Sequence, residues 1–340
     1  MVTLDHFLNP NQEEKYVHII FRKIVSEIPS TTYATHGLYG YPAKFIPHVV
    51  RFVLRKYSRE GDWVFDPFAG YGTVAIEASL LGRNYIVWDL NPMLEIFVKA
   101  STFKEKLTLD DFFIDWEYSR KFIPKWKNLE YWHPREFIKT LSRLWGFFHD
   151  KINNNKRPVV AIPLLRLTKY FSYADLQVSK LYKSKKAKER VRVLLASNWR
   201  DLMRRMYTEY AKDVLNKVRE YQRLNPKDVE SIVLAGIDSL RHELKDNVNI
   251  LITSPPYLQA QEYIRSFKLE LFWLGFSEQE IRKLQNCEIP YNKPPEIKVR
   301  SETYRKYREK ILRMNNHKLV EIYDAYFKSL AYFLEVNSDK

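Results

Sequence analysis

The sequence predicts a doubly wound α/β fold: a parallel sheet interrupted by a long helical insert. Three observations carry this. A strand, a glycine turn, a helix and a second strand follow one another over residues 63–92. Two more strand-like runs return at 231–240 and 248–254. Six of the nine glycines (Gly37, Gly40, Gly61, Gly70, Gly72, Gly82) fall between positions 37 and 82. A chain so sparing of glycine concentrates it where the backbone needs unusual angles or a close approach.

In chain order, WVFDPF (63–68) reads as a short buried strand, AGYGT as a turn and VAIEASLLG as a helix. NYIVWDLNP (84–92) is a second strand ending in Asp89. Residues 105–227 differ in character. Phe137, Leu141, Leu144, Trp145 and Phe148 follow helical spacing, as do Leu202, Met206, Tyr210, Val214 and Val218, so the region reads as a helical insert. SIVLAGIDSL (231–240) is a strand ending at Asp238, and VNILITS (248–254) is a fourth. That strand must stop at Pro255 and Pro256, because neither can donate to a sheet ladder. EYIRSFKLELFWLGF (262–276) reads as a helix. A polar loop with KPPE, a basic helical stretch (298–314) and a final helix through LVEIYDAYFKSLAYFL follow, so no strand is expected after Tyr257. The expected organisation is 1–104 with the glycine loop, 105–227 as the insert, and 228–340 with the Pro-Pro segment. In such sheets ligands sit at the carboxyl ends of the strands.

The net charge of +15 and a pI near 9.5 imply a polyanionic partner, nucleic acid first and an anionic membrane second. There is no 18-residue apolar run, and the N-terminus lacks the apolar centre of a signal peptide, so a soluble intracellular protein is expected. The lone Cys287 excludes a disulfide framework and a Cys-based zinc cluster, and scattered histidines predict no metal. Residues 180–223 hold 14 Lys/Arg against 5 Asp/Glu, a net of +9 and more than half of the excess charge. Lys180, Lys183, Lys185, Lys186, Lys188, Arg190 and Arg192 are therefore expected on a phosphate-binding surface, the alternative being a solvated helix face.

FDPFAGYGT (65–73), between a strand and a helix, is a nucleotide-type loop in which Gly70 and Gly72 let the backbone approach a ligand. It is not a P-loop, and Ala75 breaks the dinucleotide G-x-G-x-x-G pattern. Asp89 suits an acid accepting hydrogen bonds from ribose hydroxyls, or else caps the helix after Asn91-Pro92. Asp238 suits an adenine amino group, or again a helix cap. Together FDPFAGYGT, THGLYGYPAKFIP (35–47) and TSPPY (253–257) resemble the amino-methylating DNA methyltransferases that use S-adenosylmethionine. The resemblance covers about 37–100 and 228–276, and IPLLRLTKYFSYADLQVSKLYKSK (162–185) is reminiscent of insert segments in that family.

The resemblance implies a Rossmann-like methyltransferase sheet. It implies cofactor contacts from Tyr41, Phe45, Asp66, Phe68, Gly70, Gly72, Thr73, Asp89 and Asp238, and a catalytic motif of Ser254, Pro255, Pro256 and Tyr257. An exocyclic amino nitrogen is a poor nucleophile because its lone pair is conjugated with the ring. Accepting both of its hydrogens frees that pair, and Ser254 Oγ and the Pro255 carbonyl are suited to this. Tyr257 would stack on the extruded base. Serine in the first motif position implies N4 of cytosine, with N6 of adenine, an RNA amino group, or a non-catalytic DNA-binding subunit as alternatives. C5 methylation needs a cysteine nucleophile, and Cys287 in QNCEIPYNKPP lacks the Pro-Cys context. The family's sheet has seven strands, so the C-terminal strands are expected to be missing here: either the methyltransferase is truncated or split, or a second chain completes the sheet. The partners expected are double-stranded DNA and that chain, in a prokaryotic cytoplasm, with no membrane.

Overall fold

In the computed structural model the described residues are 20–258, 262–290, 293 and 296–337. Strands β1 (Trp63–Asp66), β2 (Asn84–Asp89), β3 (Ser231–Ala235) and β4 (Ile250–Leu251) form one parallel sheet in the order β3-β2-β1-β4. Each lies within its predicted run and is shorter. Pro67 follows β1 and has no amide to continue a ladder, while Gly236 turns the chain out of β3 at φ 75°. The register pairs Phe65 with both Ile86 and Leu251, and Trp88 with Leu234.

Alternation along the strands divides the core between two faces. Val64, Tyr85, Val87 and Ile252 pack with helices α1 (Pro47–Tyr57), α2 (Thr73–Leu81) and α3 (Met93–Ser101). Phe65, Ile86 and Trp88 face the other way, against Leu240, Leu244, Ile289 and Phe333. From β1 the chain winds outward through β2 to β3, then returns to lay β4 on the other side of β1. That reversal opens a crevice at the carboxyl ends of β1 and β4.

The insert is helical: α4 (Arg135–Lys151), α5 (Arg157–Tyr170), α6 (Lys185–Leu195) and α7 (Trp199–Arg223). All five predicted apolar positions of α4 are buried. In α7 the buried row runs through Met203, Tyr207, Ala211, Val214 and Val218, one position round from the expected Leu202, Met206 and Tyr210, which pack only partly. Both rows lie on one broad apolar arc, and spacing alone does not find its centre. One hydrophobic cluster runs from Val25 through the insert to Ile281, and Tyr221 Oη bonds Ser79 Oγ of α2 at 2.8 Å.

After the Pro-Pro segment come a turn of helix at Tyr263–Ser266, then α8 (Lys268–Trp273), α9 (Glu278–Asn286), α10 (Glu302–Arg313) and α11 (His317–Asn337). Helix α9 lies outside the expected elements, although its Ser277–Glu280 capping box is a readable start signal. Phe333 of α11 seals the second sheet face, and α10 lies on α11 through Arg308–Asp324 (2.8 Å) and a Tyr304–Tyr323 stack. Among the described residues no strand follows β4 and no helix is long and apolar enough to cross a membrane.

Candidate functional site

The carboxyl ends of the strands open onto a cavity. Tyr41, Phe45 and Phe68 give it apolar walls; Asp66, Asp89 and Asp238 line it with acids. Gly70 brings backbone to the cavity, and Ser254 and Pro256 border it from the strand β4 side. Gly70 has φ 55°, and a Cβ there would come within 2.9 Å of Tyr41 Cε1, so only glycine fits the loop against that ring. Tyr41 in turn stacks on Phe267 at 5.2 Å and on Tyr263 at 6.1 Å.

Asp89 accepts hydrogen bonds from the Gly70 and Asn91 amides, both at 2.7 Å, so its carboxylate holds the glycine loop while facing the cavity. Asp66 accepts from Thr253 Oγ1 at 2.6 Å and from the Phe68 amide at 3.1 Å. Burial pushes Asp66 up to about 7 and Asp89 up to about 6, with those donors partly offsetting it. Asp238 accepts from the Leu240 amide through Oδ1; its buried Oδ2 has no hydrogen-bond partner, with Arg241 Nε 3.4 Å away. Burial raises this carboxyl too.

Four expected residues do not line the cavity. Gly72 caps α2 with φ 87°, and a Cβ there would meet Val98 Cγ2 at 2.4 Å, so this glycine serves the packing of α2 on α3. Thr73 is buried and donates to the Phe45 carbonyl at 3.2 Å, tying segment 41–47 to the loop. Tyr257 projects into solvent, 57% exposed, and Pro255 joins it to the lining residue Ser254.

Residues 9–99 match the family described as DNA methylase. The chain is 23% identical over 312 residues to the type II methyltransferase M.BsoBI of Geobacillus stearothermophilus, covering 82% of this chain and 61% of that protein. It is 23% identical to M.MvaI of Kocuria varians (76% and 62% covered) and 23% to M.MjaII of Methanocaldococcus jannaschii (75% and 64%). The chain thus spans somewhat under two thirds of the length of these relatives. No solved structure matches it.

Several lining residues are not among the expected site residues: Lys44, Asn91, Tyr263, Cys287 and Glu288. Lys44 lies inside THGLYGYPAKFIP, and Tyr263 lies shortly after TSPPY. Glu288 is distant from every motif. Thr253, the first residue of TSPPY, is marked by the sequence only as a strand end; its bond to Asp66 joins β4 to β1 across the crevice. Beneath the site, buried Glu77 accepts from His36 (2.8 Å), Arg51 (2.6 Å) and Tyr33, fixing the segment before the loop on α2. Burial opposes its charge, but the His36 hydrogen bond and its neighbours hold the Glu77 carboxyl below its ordinary range.

The expected basic surface is only partly free. Lys185, Lys186 and Lys188 of α6 reach the surface, while Arg192 is exposed and paired with Glu189 at 2.6 Å. Arg190 is not on that surface: it turns inward and donates to the Ser172 and Ala174 carbonyls, both at 2.7 Å. Lys183 lies 3.8 Å from the Tyr173 ring centre and donates to the Tyr131 carbonyl. Lys180 pairs with Glu262 at 3.2 Å, just beyond the Pro-Pro segment. Among the described residues no His/Cys/Asp/Glu group is arranged to hold a metal.

Proposed function

We propose that this chain transfers a methyl group from S-adenosylmethionine to the exocyclic amino nitrogen of a base flipped out of double-stranded DNA. The base is cytosine, methylated at N4, and the context is a type II restriction-modification system in a prokaryotic cytoplasm. One observation carries the reading: the glycine loop, the strand-end acids and Ser254 of the Pro-Pro segment border the same cavity.

The residues present fit the cofactor. Asn91, with no exposed surface, lines the cavity and keeps a buried polar atom, Nδ2, without a hydrogen-bond partner. Gly70 lets the loop lie against the Tyr41 ring at the cavity wall. Tyr41, Phe45, Asp89 and Asp238 would hold the cofactor, which when bound supplies an electrophilic methyl on a sulfonium. Ser254 Oγ and the Pro255 carbonyl would accept the two amino hydrogens, aimed by two consecutive fixed φ angles. Tyr257, exposed beside them, would stack on the flipped base. Lys185, Lys186 and Lys188 would contact phosphates. A second chain adding strands outside β4 belongs to the same reading: among the described residues β4 has a strand neighbour only in β1, and Leu251 is 43% exposed.

The test is methyl transfer from labelled S-adenosylmethionine to mixed-sequence duplex DNA, followed by nucleoside mass spectrometry. Label in N4-methylcytosine is expected; label in N6-methyladenine would overturn the base assignment, and no label the reaction. Ser254→Ala and Tyr257→Ala should each slow transfer by about 10²-fold while cofactor binding persists. Equal loss of both would make the motif structural.

A further inference from the structure

The cavity is unusual in its charge. Four carboxylates line it, Asp66, Asp89, Asp238 and Glu288, against one lysine, Lys44. Lys44 Nζ donates to the His36 carbonyl and sits over the Tyr71 ring at 4.7 Å. Among the described residues Asp66, Asp89 and Glu288 have no ion-pair partner; only Asp238 has one, in Arg241. Buried acids without cations are unfavourable, and they are retained where a ligand supplies the missing positive charge. Fully buried Asn91, whose Oδ1 accepts from the Met93 amide, leaves Nδ2 without a hydrogen-bond partner on the same cavity wall.

Glu288 is the acid that no motif accounts for. It follows α9, with Ile289 anchored in the core beside it, and it is 7% exposed. Its Oε1 accepts from the Ile264 amide at 2.9 Å, so the helical turn just after the Pro-Pro segment orients it. Burial and the charge of Glu262 push its carboxyl up to about 7, the mark of a carboxylate short of positive neighbours.

We propose that Glu288 is a specificity residue of the cofactor cavity, favouring the cationic sulfonium of S-adenosylmethionine over the neutral thioether S-adenosylhomocysteine. The inference rests on the cofactor reading above. The two ligands differ by a methyl and one positive charge, so a carboxylate in the cavity acts on their difference. The same charge makes the spent cofactor the weaker occupant once the methyl has left.

The test is calorimetric titration of the purified chain and of Glu288→Gln with both ligands at pH 8 and low salt. Glutamine keeps an acceptor for the Ile264 amide and removes only the charge. The variant should bind S-adenosylmethionine about tenfold more weakly and S-adenosylhomocysteine nearly as well as the parent, shifting their affinity ratio about tenfold. An unchanged ratio overturns the role of Glu288, whether both affinities fall together or neither moves. Should the glutamine variant fail to fold, Glu288→Asp keeps the charge and must keep the parent's ratio; losing it overturns the proposal. Failure of the parent chain to bind either ligand would instead overturn the cofactor reading itself.

Discussion

Thr253, two residues past β4, and Asp66, the last residue of β1, are 187 positions apart, and the 2.6 Å bond between them joins the Pro-Pro segment to the glycine-loop strand. A buried carboxylate that loses a donor keeps its desolvation penalty and forfeits the compensation. Thr253→Val should therefore lower unfolding free energy by about 1–3 kcal/mol. It should also slow methyl transfer, because Ser254 would lose its fixed placement. Thr253→Ser should restore both. Urea denaturation and single-turnover transfer check this, and a valine variant matching the parent in both would sink it. Thr253 is legible as part of TSPPY, but its partner is not: a hydrogen bond between residues so far apart exists only once β4 lies beside β1.

Helix α6 separates two uses of positive charge within a few residues. Its Ala187, Val191 and Leu194 pack inward, and Ser184 caps it by accepting from the Ala187 amide. On this amphipathic frame Lys185, Lys186 and Lys188 reach solvent, while Arg190 holds the 172–174 turn. Replacing the three lysines with alanine should weaken duplex DNA binding and flatten the slope of log K against log salt by about 0.9 for each phosphate no longer neutralised. Arg190→Ala should instead lower stability by about 2 kcal/mol and leave that slope alone. Salt titrations of DNA affinity distinguish the two; an unchanged slope in the triple variant would remove α6 from the DNA interface. The run of basic residues is plain in the sequence. Which of them is spent inside the fold depends on where the 172–174 carbonyls come to lie.

For the molecule as a whole, the sheet's strand order governs the site. Reversal between β1 and β4 brings Asp66 and Thr253 together, and β2 and β3 add Asp89 and Asp238 to the same rim. The outer side of β4 carries no strand among the described residues. If a second chain pairs there, the purified protein should run as an oligomer on size-exclusion chromatography with light scattering, and dilution should reduce its activity. A stable monomer that methylates DNA would exclude that arrangement.

The sequence by itself determined the α/β class, four strands within a few residues, the helical character of the insert, and the loop and Pro-Pro motifs. These rest on local chemistry: proline ends a ladder, glycine admits positive φ, and apolar spacing declares a buried face. Only the tertiary structure decided that Gly72 and Thr73 serve packing while Gly70 borders the cavity, since that depends on where Val98, Phe45 and Tyr41 arrive. It alone brought Glu288 to the rim, through the unexpected helix α9. A cavity's charge is a sum over residues distant in sequence, and no local pattern along the chain records that sum.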